Sequence, residues 1–278
     1  MNNLKIIISI ILALFIVGCD QTGDTARTSA TQKSAEDTSL ERVTDAGVIY
    51  WGADVIGGIP YVYEDPDNPG SYIGFEMDIM KALANRIGVK QKLVIKAWDT
   101  LVPELQKGSF DLAMNGLEDT EDRRGMVLFS DPYYIYSQQI TVRKDTDGVN
   151  SVNDLKGKKV ATLSGTAAED LLREIPEIEV SINPEIIYSY QDLVDGKVEA
   201  VVLDTPIAAA YGASNPKLKN TGETFGEGSY VMGFRKKDNA LRNAVNDALI
   251  EIKNNGELGA IYKKWGLMDA NQSKAGVK

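Results

Sequence analysis

The sequence predicts an α/β protein built as two similar lobes, and three observations predict it. Short apolar runs alternate with amphipathic helical stretches from about residue 40 onward. The same order returns after residue 150. The block Gly108-Ser109-Phe110-Asp111-Leu112-Ala113 is echoed by Gly196-Lys197-Val198-Glu199-Ala200-Val201, and each feeds an apolar strand. A repeated strand–helix order builds a mostly parallel sheet covered by helices.

Residues 48–53 read as the first strand. Residues 76–87 carry apolar side chains at Met77, Ile79, Met80, Leu83, Ala84 and Ile87, a helical period closed by Gly88. A strand over 91–95, a short helix over 101–106 ended by Gly108, and a strand over 110–114 follow. After residue 150, strands are expected at 159–163, 185–188 and 198–203, and helices at 167–173 and from Pro206 to about residue 211. Residues 138–143 alternate polar and apolar side chains and are expected to join the lobes as an extended hinge strand. A second crossing is expected near 226–233, where three glycines ease a change of backbone direction. Helices over 241–254 and 257–265 then pack back on the first lobe. The expected division is lobe 1 over 40–137 and 230–268, lobe 2 over 138–229, and a tail over 269–278.

At the start, Lys5 precedes an apolar run over 6–17, too short for an ordinary spanning helix but suited to a signal-peptide core. The run ends at Ile16-Val17-Gly18-Cys19, which resembles the bacterial lipoprotein signal. That resemblance implies a signal peptide over 1–18, lipidation at Cys19 and an anchor to the membrane surface without a spanning helix. An ordinary secretory signal with an incidental cysteine gives the same pattern. Residues 19–39, rich in Thr, Ser, Ala and charge, read as a flexible tether.

Composition removes several function classes. The formal charge of -10 argues against nucleic-acid binding, which needs a basic face. There is no histidine, and Cys19 is the one cysteine. A histidine-based triad, a His/Cys zinc site and an intrachain disulfide are therefore excluded. No Walker-type glycine-lysine loop is present. No cofactor and no metal are expected.

In open α/β sheets, ligands bind beyond the carboxyl ends of strands. Ser164-Gly165-Thr166 follows a strand, and Thr166 with Glu169 forms a capping-box pattern whose free N–H groups suit an anion. A plain capped helix explains the same residues. Thr120 can cap a helix from which Arg123 leans toward the crevice, where its flat fork could grip a carboxylate. A surface arginine among acids reads equally well. Asp204 ends an apolar strand before Thr205-Pro206, and Asp54 ends the first strand. Each is an ammonium acceptor or a helix cap. Trp98 is a stacking wall or simply core.

Several blocks in order resemble a known family. They are Gly74-Phe75-Glu76-Met77-Asp78, Trp98-Asp99-Thr100-Leu101-Val102-Pro103-Glu104-Leu105, Gly108-Ser109-Phe110-Asp111, Phe129-Ser130-Asp131-Pro132-Tyr133-Tyr134, Asp154-Leu155-Lys156-Gly157-Lys158-Lys159-Val160 and Ile261-Tyr262-Lys263-Lys264-Trp265. Together, over about residues 47–266, they resemble the periplasmic amino-acid-binding proteins of polar amino-acid ABC importers, bacterial solute-binding protein family 3. The resemblance implies a type II periplasmic-binding-protein-like fold, two lobes joined by two hinge strands, closing on an amino acid and then docking on an ABC permease. It implies Arg123 and the Gly165-Thr166 loop for the ligand α-carboxylate, Asp204 for the α-ammonium, and Trp98 and Asp54 for the side chain.

The chain departs from the family where Ser or Thr is usual and Glu118 stands instead. The aromatic-bearing turn after the first strand is also replaced, which displaces the aromatic lid to Tyr61. The candidate ligand-binding set is Asp54, Tyr61, Trp98, Gly116, Glu118, Arg123, Gly165, Thr166 and Asp204. Asp54 with Glu118 points to a cationic side chain, since buried acids need partners or must take up protons. Alternatively, Glu118 shares the α-ammonium with Asp204 and leaves room for a neutral polar side chain. The expected protein is an extracytoplasmic, lipid-anchored monomer in the periplasm or on the outer face. A carboxylate-based dehydratase on the same fold and a ligand sensor are the rival readings.

Overall fold

The structure is a computed structural model and describes residues 37–278 except Gly57. Cys19, the expected signal peptide and the tether up to residue 36 lie outside the described residues. Among the described residues no helix is long and apolar enough to cross a membrane.

The chain opens with α1 (Ser39–Ala46), an unforeseen helix that buries Val43, and Gly47 turns it into β1 (Val48–Ala53). A two-stranded ribbon follows, β2 (Tyr63–Glu64) with β3 (Tyr72–Ile73). Next come α2 (Phe75–Ile87), β4 (Lys90–Ile95), α3 (Leu101–Lys107), β5 (Leu112–Ala113), α4 (Glu121–Met126) and β6 (Leu128–Phe129). The chain then crosses into β7 (Tyr134–Arg143), β8 (Lys159–Leu163), α5 (Ala167–Arg173), β9 (Glu179–Asn183), α6 (Ile186–Val194), β10 (Ala200–Asp204), α7 (Thr205–Ile207) and β11 (Leu218–Tyr230). It returns through β12 (Gly233–Phe234) to α8 (Asn239–Asn254), α9 (Glu257–Trp265) and α10 (Ala270–Lys274).

Two five-stranded sheets result. The first has the order β4-β1-β5-β12-β6, with β4, β1 and β5 parallel and β12 antiparallel to its neighbours. Ile49, Trp51 and Ala53 of β1 are buried, and α2, α8 and α9 bring Ile79, Leu83, Val245, Leu249, Leu258 and Tyr262 to the same core. Gly52 is required here, because a Cβ would come within 2.3 Å of the Phe110 ring. The second sheet has the order β11-β7-β10-β8-β9. Its β10, β8 and β9 are parallel, while β7 runs antiparallel between β10 and β11. The mixed orientation is what a chain that enters and leaves one lobe along adjacent strands must produce.

The two crossings lead into and out of those adjacent strands. The chain passes over residues 130–133 on the way out and 231–232 on the way back. The outward crossing therefore precedes residues 138–143, which already pair with β10 inside the second sheet. Tyr230 is fully buried at the junction, stacked on Tyr134 and Tyr136 at ring-centroid distances of 5.6 and 4.7 Å. The aromatic stack gives the crossings a packed base.

One further expectation is corrected and two are filled in. Residues 185–188 are not a strand but open α6, whose buried Ile186, Ser189, Tyr190 and Leu193 recur at helical spacing. The strand lies earlier, at β9. The helix expected from Pro206 to about residue 211 is present, as α7 continued directly by a π-helical turn over Ala208–Ala213. The tail over 269–278 is packed onto the chain. Gln272 of α10 is fully buried and clasps the start of β7, accepting from Ile135 N at 3.0 Å and donating to Ile135 O at 2.7 Å.

Candidate functional site

The carboxyl ends of the strands and the loops after them bring the candidate residues together in three linked groups. The first is a cluster around Arg123 and Glu118, assembled from both lobes. Thr120 caps α4 by accepting from Arg123 N, which sets the arginine at the first turn. The Arg123 guanidinium lies 5.3 Å from the Trp98 ring centroid, within the range of a cation–π contact. Its Nη1 donates to the Glu118 backbone oxygen at 2.9 Å and to Glu118 Oε2 at 2.6 Å. Its Nη2 reaches the other lobe and donates to Gly165 O at 2.7 Å. Glu118 Oε1 accepts from Ala167 N, also of the other lobe, at 3.0 Å. A third contact across the gap runs from Trp98 Nε1 to Ser164 O at 3.1 Å.

Thr166 does not offer its hydroxyl to this cluster. The hydroxyl donates to Leu163 O at 2.8 Å and accepts from Glu169 N at 3.3 Å. Glu169 turns its carboxylate to Gly165 N instead of closing a capping box on Thr166. Gly165 holds a positive φ of 69°, which lets the loop present its carbonyl to Arg123.

The second group surrounds Asp204. Asp204 pairs with Gln138 across β10 and β7, and Gln138 Nε2 donates to Asp204 Oδ1 at 2.6 Å. Tyr230 donates its hydroxyl to Asp204 Oδ2, and the hydroxyls of Tyr61 and Tyr230 lie 2.7 Å apart. Burial, then the charge of Glu118, pushes the Asp204 carboxyl well above the usual carboxylate range.

The third group surrounds Asp54. Its carboxylate accepts from Ile56 N at 2.8 Å and Trp98 N at 2.9 Å, and Asn115 Oδ1 accepts from Asp54 N at 3.0 Å. Burial outweighs these bonds and raises its carboxyl too. Beside it, Gly116 has a φ of 61°, and a Cβ there would meet Tyr61 Cε1 at 2.7 Å. Gly116 N donates at 2.7 Å to Glu76, a fully buried acid that the sequence did not single out.

Asp54 and Glu118, the two acids expected to favour a cationic side chain, differ in their partners. Glu118 is neutralised by Arg123, whereas Asp54 and Asp204 have no ion-pair partner among the described residues. Both carboxylate oxygens of Glu118 are committed to N–H donors, and its charge lies close enough to Asp204 to raise that carboxyl. A hollow of about 260 Å³ beside the Arg123 cluster is lined by Trp98, Asp99, Leu117, Arg123, Met126 and Gly165 among others. A larger cavity of about 540 Å³ contains none of the candidate residues, and its Arg42 and Arg235 are tied to Asp111 and Asp238.

Comparison with known proteins agrees with this architecture. Residues 56–268 match the family described as bacterial extracellular solute-binding proteins, family 3. The L-cystine-binding protein TcyJ of Escherichia coli strain K12 is 31% identical over 234 residues, covering 83% of this chain and 87% of that protein. Among solved structures, an ancestral arginine-binding protein bound to arginine is 35% identical with a TM-score of 0.74, covering 79% of this chain and 98% of that one. The ancestral amino acid-binding protein AncCDT-1, a precursor of cyclohexadienyl dehydratase, is 34% identical with a TM-score of 0.76, covering 82% and 99%.

Proposed function

Because the chain belongs to family 3 of the bacterial extracellular solute-binding proteins, we propose that it delivers a polar, cationic amino acid to an ABC importer. The observation that carries the reading is a receptor split between lobes. Arg123 from one lobe and Ala167 N from the other converge on the Glu118 carboxylate, while Arg123 also donates across the gap to Gly165 O. In the proposed complex those donors hold the α-carboxylate of the ligand. Asp204 accepts the α-ammonium, and Asp54, with Trp98 and Tyr61, meets the side chain. Two buried acids without cationic partners favour a ligand that brings two positive charges.

The binding cycle is one of closure. Ligand contacts one lobe, the other rotates onto it about the crossings at 130–133 and 231–232, and the closed form is what the permease receives. The sequence puts the division at 137/138 and 229/230; we propose it instead at these crossings, with lobe 1 up to about residue 133 and from 231 to 268, and lobe 2 between them. In this reading the protein is a monomer, held at the membrane through a lipid on Cys19, and it carries out no chemistry. A dehydratase activity would show as product formed from a cleft-bound acid in the absence of any transporter.

The test is a thermal-shift panel of the common amino acids and ornithine on purified protein stripped of ligand, followed by calorimetry. A ligand that binds only the folded state raises the melting temperature by mass action. Arginine, lysine, ornithine or histidine should give the largest shifts, and Arg123→Ala should remove them. No shift from any amino acid would sink the reading.

A further inference from the structure

We infer that Glu118 is a built-in carboxylate that fills the interlobe anion receptor, so that an amino acid binds only by displacing it. The inference rests on the proposed reading, in which this receptor takes the ligand's α-carboxylate.

The geometry is that of a bound ligand carboxylate, supplied by the chain itself. The Glu118 side chain is almost fully buried. One of its oxygens meets a guanidinium from its own lobe, at 2.6 Å, and the other meets a backbone N–H of the opposite lobe, at 3.0 Å. These are the charge-assisted bonds that an external carboxylate would need, and they are already made. A second carboxylate cannot join the first there, because two buried like charges on one guanidinium repel at short range. Arg123 Nη2 gives one hydrogen to Gly165 O, and a carboxylate on the N–H groups that remain would bring a second negative charge up against Glu118. Glu118 therefore acts as an internal competitor. It also acts as a latch, because its bond to Ala167 crosses between the lobes.

The inference separates ligands by whether they carry a carboxylate. An amino acid must evict Glu118, whereas the matching decarboxylated amine leaves it in place. Calorimetry on wild type and Glu118→Ser should therefore compare arginine with agmatine, lysine with cadaverine, and histidine with histamine. Serine empties the receptor while adding little bulk. Removing the acid weakens attraction for every cation, so the readout is the ratio of amine Kd to amino-acid Kd within each pair. That ratio should rise at least tenfold in Glu118→Ser for whichever pair binds. An unchanged or reduced ratio, with amino acids still bound, overturns the competitor and leaves the amino-acid reading intact. Absence of amino-acid binding in both proteins overturns that reading, and the competitor with it.

Should the serine variant fold poorly, Glu118→Gln keeps the side-chain shape without the charge, and its ratio should move the same way. Small-angle scattering on ligand-free samples gives a second readout. Wild type should be the more compact, with Glu118→Ser showing a larger radius of gyration that contracts on adding arginine. Equal radii in the ligand-free state would show that Glu118 does not latch the lobes.

Discussion

Replacing Glu76 with glutamine should flatten the dependence of stability on pH. Glu76 is fully buried, its Oε1 accepts from Gly116 N and the Tyr133 hydroxyl, and its Oε2 has no partner among the described residues. Burial outweighs the two bonds and raises its carboxyl from 4.5 to about 7. Between those values the folded protein keeps a proton that the unfolded chain has released. The stabilisation is therefore fully present below about pH 4.5 and is lost as pH rises toward 7. At about 1.4 kcal/mol per pH unit, the gap amounts to roughly 3 kcal/mol. For a chain of this size that corresponds to a melting-temperature change of about 6–12 °C. The assay is thermal unfolding of ligand-free protein at steps from pH 5 to pH 8, with the variant alongside. Glutamine leaves an amide N–H₂ where Oε2 was, at a cost of about 1–3 kcal/mol that does not vary with pH. The slope is thus the readout, not the absolute value. Asp54 and Asp204, whose carboxyls are also raised, tilt both proteins in the same sense and cancel in the comparison. Equal slopes in the two proteins would refute the reasoning.

Two further substitutions probe the site from other directions. Gly116→Ala should lower stability by about 1–3 kcal/mol in denaturant melts, because it combines a positive φ with a Cβ 2.7 Å from the Tyr61 ring; an unchanged midpoint would mean the loop yields freely. Asp204→Asn should stabilise the ligand-free protein at pH 8 relative to wild type while weakening amino-acid binding at least a hundredfold. The raised carboxyl of Asp204 costs wild type stability as pH rises, and the neutral amide does not share that cost. Retained affinity in calorimetry would remove Asp204 from the ammonium site.

The elements legible in the sequence are those with local punctuation at both ends. The strand 48–53 lies between Gly47 and Asp54, and the helix 167–173 starts at the Thr166 cap. The helix 257–265 ends at Gly266, and all three match the structure to the residue. The failure at 185–188 has a physical cause. Ile186, Ile187 and Tyr188 are β-formers, and over four residues a buried helix face and a strand look alike. In the site, Thr120 and the spacing of three set Arg123 locally at a helix start, but only the family resemblance separated it from a surface arginine. The Gln138–Asp204 bond was not legible, since it depends on the register of two strands 66 residues apart. Glu118 was visible as an anomaly of charge, but its partner Ala167 is brought to it only by contact between the lobes.

That contact changes where discrimination between ligands must arise. A ligand shifts the open–closed balance only by what it gains in one state over the other. Two charge-assisted bonds, Arg123 to Gly165 O and Ala167 N to Glu118, already hold the lobes together, at about 1.5–3 kcal/mol each. The Trp98–Ser164 bond adds about 1 kcal/mol. An incoming α-carboxylate that takes Glu118's place exchanges one carboxylate for another on the same donors, so its own net gain is small. The positive end of the ligand gains more. Asp204 and Asp54 are desolvated and lack a cationic partner, and their carboxyls are pushed upward by burial in its absence. Each positive charge delivered to them relieves a standing cost instead of repeating a bond already made. Selectivity in this cleft therefore falls on the cationic groups of the ligand, and affinity should track their number and reach more closely than the presence of the carboxylate.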